Sequence, residues 1–201
     1  FEKKKQKTFA ILVWVSMGKL IMWNLVSLDG MFEGATPWAL DWFQRGFDEA
    51  AIAHVVGQLR TTGALVFGRK TYEGMFAHWH SAAGEIADYM NTLPKTVFSR
   101  TLTGSDWQNT RVVAEDPASV IADLKARMRG DIYVFGSADL SAALMDADLF
   151  DEYRFGLTPV VLGRGTRLFG GSAAPRELAL IEARPINASL LLLRYGRASM
   201  A

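Results

Sequence analysis

The chain contains no cysteine. That excludes disulfides, thiolate zinc sites, iron–sulfur ligation and cysteine nucleophiles, and it fits a reducing cytoplasm as the compartment. Charge imbalance is also missing: 22 Lys and Arg stand against 21 Asp and Glu, a net +1. The two signs are interspersed after the first few positions, so there is no broad electrostatic footprint for nucleic acid, and a small molecule is the expected partner. No stretch approaches the roughly twenty apolar residues that span a bilayer, so no membrane partner is expected. Histidine is scarce, with three in all. His78 and His80 stand two apart without a third ligand nearby, which gives no metal site, and His54 reads as a residue on the buried side of a helix. A Gly-x-Ser-x-Gly nucleophile elbow does not occur.

Half of the residues are hydrophobic and 21% are charged. This is ordinary globular composition, and a chain of this length buries roughly 70% of its unfolded surface without metal or crosslink. The first sixteen residues mimic a signal peptide, with a basic run over Lys3, Lys4, Lys5 and Lys7 and an apolar run from Phe9 to Val15. The apolar run is short and no small-x-small cleavage site follows it. Residues 1–16 are therefore read as an upstream extension, and 17–201 as a single domain.

Leu20 to Leu28 is rich in apolar and aromatic residues and ends at Asp29-Gly30, a buried strand running into a turn. From Trp42 to Leu59 apolar residues recur at helical spacing, with Asp48 and Glu49 on the wet side, which predicts one amphipathic helix. Ala64 to Phe67 is an apolar strand that turns through Gly68 to Thr71 into another helix. A helix over Glu85 to Thr92, strands at Thr96 to Ser99 and at Val112-Val113, and a helix over Pro117 to Met128 follow. The last of these opens with Asp116 as N-cap and proline at the first helical position. Ile132 to Phe135 is a strand, Gly136-Ser137 the turn, and Leu140 to Met145 the next helix. After Asp151 the strands Glu152 to Thr158, Glu177 to Ala183 and Leu190 to Tyr195 have no helix between them, which implies an antiparallel C-terminal portion. The expected fold is three-layer α/β/α, with a mixed, mostly parallel sheet finished by antiparallel strands.

Three strand ends carry the same kind of chemistry: Gly68-Arg69-Lys70-Thr71, Ser99-Arg100 and Gly136-Ser137-Ala138-Asp139-Leu140. In an open α/β sheet these carboxyl ends line one edge, where ligands bind. Two of them lead into helices, whose N-termini present unpaired N–H groups and about half a positive charge, which suits phosphate. Arg69, Lys70 and Arg100 add positive charge at the same edge. Each motif alone is commonly structural; their joint occurrence points to a ligand with several phosphates. A P-loop does not fit, because the residues between Gly63 and Gly68 are strand material and Arg69 intervenes before the lysine. Gly163-Arg164-Gly165 lacks the third glycine of a dinucleotide fingerprint.

The segments Ser27-Leu28-Asp29-Gly30, Leu65 to Gly74, Thr96 to Leu102, Tyr133 to Leu140 and Pro159 to Phe169 occur in the order seen in the dihydrofolate reductase superfamily. Over about residues 17–196 the chain resembles the reductase domain of bifunctional riboflavin-biosynthesis proteins and its stand-alone bacterial relatives. The resemblance implies an NADPH site in which Gly68 to Thr71 and Gly136 to Leu140 hold the pyrophosphate. Ser99 and Arg100, with Arg69 or Lys70, would meet the adenosine 2′-phosphate. It further implies hydride transfer to a pyrimidine-, pteridine- or ribosylamino-type substrate, and a homodimer through the C-terminal strands. The chain departs from the family at Ser137 and Ala138, where relatives usually carry a second and often a third glycine, and a side chain there narrows the approach to the pyrophosphate.

A reductase of this kind commonly needs a carboxyl group or ordered water to deliver a proton. Asp41 is the first candidate, because Pro37 to Phe43 resembles the acid-bearing segment of dihydrofolate reductases, two residues shorter; its bland alternative is an N-cap. Asp29 is the second, with a turn residue as its alternative. Trp42 and Thr158 are candidate substrate contacts, and Thr158 also suits packing. Two other readings stay open: a non-catalytic nucleotide-binding or interaction protein on the same fold, and true dihydrofolate reductase activity.

Overall fold

In the strand Leu20–Val26 (β1), side chains alternate between two cores, Leu20, Met22 and Val26 joining one and Ile21 the other. A strand apolar on both faces must be covered on both, and the computed structural model, which describes residues 18–170 and 175–198, shows how. After β1 come Met31–Glu33 (β2), a 3₁₀ helix at Asp41–Gly46, Glu49–Leu59 (α1), Thr62–Gly68 (β3), Arg69–Trp79 (α2) and Glu85–Thr92 (α3). Lys95–Phe98 (β4), Thr110–Val113 (β5), Pro117–Arg127 (α4), Asp131–Phe135 (β6) and Ala138–Asp146 (α5) continue the alternation. The chain closes with Glu152–Leu157 (β7), Thr166–Arg167 (β8), Leu178–Asn187 (β9) and Leu190–Arg197 (β10).

Eight strands form one sheet in the order β5-β4-β3-β6-β1-β7-β10-β9, and β2 pairs with β8 in a small second sheet. Leu59 of α1, Tyr72 of α2 and Met90 of α3 pack with Ile21, Leu65, Phe67 and Tyr133 on one face. Ile121 of α4 and Leu140 and Leu144 of α5 pack with Met22, Val66 and Val134 on the other. The expected three-layer arrangement, a mixed and mostly parallel sheet with antiparallel strands at its C-terminal side, is thus the one found.

Three details differ from the sequence reading. The strand from Glu152 sits where the two portions meet: β7 runs parallel to β1, from Ile21 opposite Glu152 to Val26 opposite Leu157, and antiparallel to β10. The reversed strand of the C-terminal portion is β10, which pairs antiparallel with both β7 and β9. The predicted Trp42 to Leu59 helix is broken at Phe47, whose backbone (φ −98°, ψ 63°) is not helical. Asp48 then restarts the chain as the N-cap of α1, accepting the Ala51 N–H at 3.0 Å. Asn187 pins the break by donating to both the Gly46 carbonyl (2.9 Å) and Asp48 (2.8 Å). Asp41, the alternative cap, lies inside the 3₁₀ helix, which has no side-chain cap. The extension assigned to residues 1–16 falls outside the described residues.

No helix among the described residues is long and apolar enough to cross a membrane.

Candidate functional site

The carboxyl ends of four neighbouring parallel strands, β4, β3, β6 and β1, lie side by side, with Gly68 opposite Phe98 and Trp23 opposite Phe135. The segments that follow them are therefore brought to one edge: Ser99-Arg100 after β4, Gly68 to Thr71 after β3, and Gly136 to Leu140 after β6. The helices at this edge differ from others in the molecule. Asp48 and Asp116 cap α1 and α4 by accepting the N–H of Ala51 and Ser119. Gly68 and Ser137, at the N-cap positions of α2 and α5, give no side-chain cap. Two helix N-termini on adjacent strands thus keep their N–H groups for an anion.

A hydroxyl joins the two tips. The Gly68 N–H donates to Ser137 Oγ at 2.8 Å, and Ser137 in turn donates to Thr71 Oγ1 at 2.8 Å. Backbone pairing of β3 with β6 ends at Val66 opposite Val134, so the serine supplies a tie where the ladder has run out. Its hydroxyl is committed to Gly68 and Thr71. The geometry costs something, because Gly136 (φ 54°) and Ser137 (φ 58°, ψ 61°) both occupy the left-handed region, which for serine is worth roughly 1–2 kcal/mol. Packing explains the glycines: a Cβ on Gly68 would lie 3.1 Å from Ser137 Oγ, and one on Gly136 would lie 3.1 Å from Thr71 Oγ1. The Leu140 side chain sits in the core, so that residue can offer the site its backbone alone.

Among the cations, Arg69 pairs with Glu73 at 2.9 Å. Lys70 and Arg100 are exposed, and neither has an ion-pair partner among the described residues. Ser99 Oγ accepts the N–H of Leu102 at 2.9 Å and of Thr101 at 3.2 Å and lies 3.5 Å from the Thr101 hydroxyl, which shapes the turn that carries Arg100. Asp139, exposed in the first turn of α5, is the one acidic side chain of this turn.

The two carboxyl candidates differ sharply. Asp29 accepts from Ser27 Oγ at 2.6 Å, the Leu162 N–H at 3.1 Å and the Gly163 N–H at 2.8 Å. The Ser27 bond and then the two backbone bonds hold its carboxyl down at about 2. A group so far below neutrality is a clamp between two loops and a poor proton donor. Asp41 is exposed at the start of the 3₁₀ helix, on the segment that leads to Trp42. The Trp42 indole Nε1 is buried and has no partner among the described residues. Thr158 is buried and gives its hydroxyl to the Val26 carbonyl at 3.2 Å, the packing role.

Between β2 and the 3₁₀ helix the chain folds onto α2. Trp38 (φ 63°) lays its indole where a side chain at Gly74 would project, a Cβ there falling 1.8 Å from the ring. Glu33 fastens this segment by accepting the Trp38 N–H at 2.7 Å and the Thr166 hydroxyl at 2.9 Å.

Sequence reasoning passed over Asn24 and Ser141. Asn24 accepts the Gly136 N–H at 2.9 Å, and Ser141 donates to the Gly136 carbonyl at 3.2 Å, so the turn after β6 is gripped on both sides of one residue. The signal for Asn24 was present: a lone amide inside the apolar run Leu-Ile-Met-Trp-Asn-Leu-Val. No group of three or more metal-capable side chains occurs among the described residues.

A mixed, mostly parallel sheet with helices on both faces, and two uncapped helix N-termini at its carboxyl edge, makes this an α/β protein, and its fold is dihydrofolate-reductase-like. The model of the RibD C-terminal domain matches residues 18–192, and the chain belongs to that family. It is 26% identical to the uncharacterized protein YyaP of Bacillus subtilis (strain 168) over 88% of this chain and 94% of that one. Its fold is similar to that of a riboflavin biosynthesis-type protein from Shewanella sp. PV-4, with TM-score 0.73, 22% identity, and coverage of 90% of this chain and 99% of the other. It is similar as well to a diaminohydroxyphosphoribosylaminopyrimidine deaminase/5-amino-6-(5-phosphoribosylamino)uracil reductase from Thermotoga maritima (TM-score 0.66, 12% identity), with coverage of 90% of this chain and 57% of that longer one. A dihydrofolate reductase from Enterococcus faecalis complexed with NADP(H) gives TM-score 0.55 and 16% identity, with coverage of 91% and 98%.

Proposed function

We propose that the chain is an NADPH-dependent reductase acting on a small pyrimidine-, pteridine- or ribosylamino-type substrate. The observation that carries this reading is the pair of uncapped N-termini of α2 and α5 on adjacent strand tips. Membership of a family with reductase-like relatives supports it. The residues fit the cofactor: the N–H groups at the starts of α2 and α5 would hold the pyrophosphate, and Arg100 with Lys70 and the Ser99 hydroxyl would hold the 2′-phosphate. NADPH, when bound, supplies a hydride; the chain supplies orientation and the accompanying proton. Because Asp29 is held ionised, that proton is assigned to Asp41 or to water brought in beside it. The cytoplasm as compartment is proposed on the same footing. So is a homodimer through β9 and β10, supported by the exposed Leu180 and Ile181 of the edge strand.

Titration of NADPH fluorescence tests the reading. The protein is expected to shift the emission, and Arg100→Ala to weaken NADPH by about 1.5–3 kcal/mol while leaving NADH nearly unchanged. Equal losses for both cofactors would remove the 2′-phosphate assignment. No response up to millimolar NADPH would remove the reductase reading.

A further inference from the structure

A backbone N–H can only donate, whereas a hydroxyl has one proton and two lone pairs. At the tips of β3 and β6 these facts set a direction. The Gly68 N–H donates to Ser137 Oγ, and Ser137 spends its own proton on Thr71 Oγ1. Thr71 Oγ1 thus enters the series as an acceptor, and its proton has no acceptor among the described residues. Thr71 is 9% exposed and is the third residue of α2, so this unspent donor lies within a helix N-terminus that has no side-chain cap. A donor so nearly buried is costly to leave unmade, and an anion at that terminus would satisfy it. Packing holds the series in place. A Cβ on Gly136 would fall 3.1 Å from Thr71 Oγ1 and 3.2 Å from Thr71 Cγ2, so both branches of the threonine rest against the glycine.

Ser137 keeps its place against its own backbone preference. It sits in the left-handed region (φ 58°, ψ 61°), which costs a serine and costs a glycine nothing. A strained residue persists where its surroundings over-determine it, and such residues gather at functional sites. Here the hydroxyl is what a glycine would lack. We infer that Ser137 is a positioning residue for phosphate binding: its hydroxyl occupies one side of Thr71 Oγ1 and so leaves the Thr71 proton to a phosphate oxygen at the N-terminus of α2. Each hydrogen bond in such a series polarises the next, which strengthens the last donor. This rests on the cofactor reading proposed above, in which that phosphate belongs to the NADPH pyrophosphate, and adds to it a residue that acts through another.

A serine that only crowded the turn and a serine that orients Thr71 predict opposite signs when the side chain is removed. Calorimetry compares NADPH with adenosine 2′-monophosphate, which keeps the Arg100 end and has no pyrophosphate. Ser137→Gly is expected to weaken NADPH about fivefold, the worth of one hydrogen bond, and to leave the monophosphate unchanged. Its thermal midpoint should stay close to that of the wild type, because relief of the left-handed strain offsets the lost tie. Ser137→Ala keeps the strain and lacks the hydroxyl, so the same loss of NADPH affinity is expected with a lower midpoint. In a Thr71→Val background, Ser137→Gly should cost NADPH nothing further, since the group it acts through is gone. Tighter or unchanged NADPH binding in Ser137→Gly, equal loss of both ligands, or an undiminished loss in the Thr71→Val background overturns the inference and leaves the cofactor reading standing. A wild-type protein that binds neither ligand overturns that reading and this role with it.

Discussion

The two ends of the parallel strands treat polar groups in opposite ways. At the beginning of β7, Glu152 is fully buried and saturated: Arg154 Nε lies at 2.6 Å, Arg194 Nε at 2.7 Å and Lys19 Nζ at 3.1 Å. Arg194 reaches on to Glu182 at 2.9 Å, and Arg154 also contacts the Tyr133 hydroxyl. At the far end, the N-termini of α2 and α5 have no side-chain cap, Lys70 and Arg100 have no ion-pair partner, and the Asn24 Nδ2 has no hydrogen-bond partner among the described residues. The first arrangement satisfies its charges internally, so its removal should act on stability. The second holds donors open, so its removal should act on binding.

Breaking the saturated end should give the largest effect. Glu152→Ala strands Arg154 and Arg194 in a buried site and is expected to cost about 3–5 kcal/mol in chemical denaturation. The same group gives the molecule an acid limb. Burial pushes the Glu152 carboxyl up, but the hydrogen bonds from Arg194 and Arg154, the Arg154 charge and Lys19 together outweigh it and hold the group at about 2. A carboxyl lowered by folding contributes stability that is present in full above the unfolded value of 4.5 and is lost as pH falls toward 2, about 3 kcal/mol in all. Glu152→Gln should flatten stability in that window; an acid limb unchanged in the variant would assign it to other carboxylates.

Smaller contrasts sharpen the division between the ends. Asp116→Ala removes the cap of α4 and is expected to cost about 1 kcal/mol of stability, with NADPH binding intact. Arg100→Ala should do the reverse, moving stability by less than about 0.5 kcal/mol while weakening the cofactor. A stability loss at Arg100 comparable to that at Asp116 would erase the distinction.

How far each end could be read from sequence follows from what local patterns encode. Gly68, Thr71, Gly136 and Ser137 were legible because a strand, a glycine turn and a helix follow one another along the chain, and the topology does bring them to one edge. Strand direction is not local: the helix-free C-terminal stretch signals antiparallel pairing, which β7 makes with β10, but nothing along the chain shows that β7 also runs parallel to β1. The helix break at Phe47 escaped because apolar spacing runs through it unchanged. What enforces the break is Asn187, about 140 residues away in sequence. Asp29 could be placed in a turn, but not recognised as a clamp, since two of its donors come from Leu162 and Gly163. Asn24 stands out as a lone amide in an apolar run, but period-two burial says which face a residue takes and nothing of the hydrogen bond it makes to Gly136.

Gly74 carries a consequence beyond its own helix. Its missing side chain is the socket into which the Trp38 indole plugs, and Trp38 adopts a backbone conformation that an ordinary residue avoids. A single methyl group placed there would unplug the ring and leave the segment before the 3₁₀ helix held by its Glu33 bonds and not by the indole, so one hydrogen atom on α2 governs the seating of a residue 36 positions upstream.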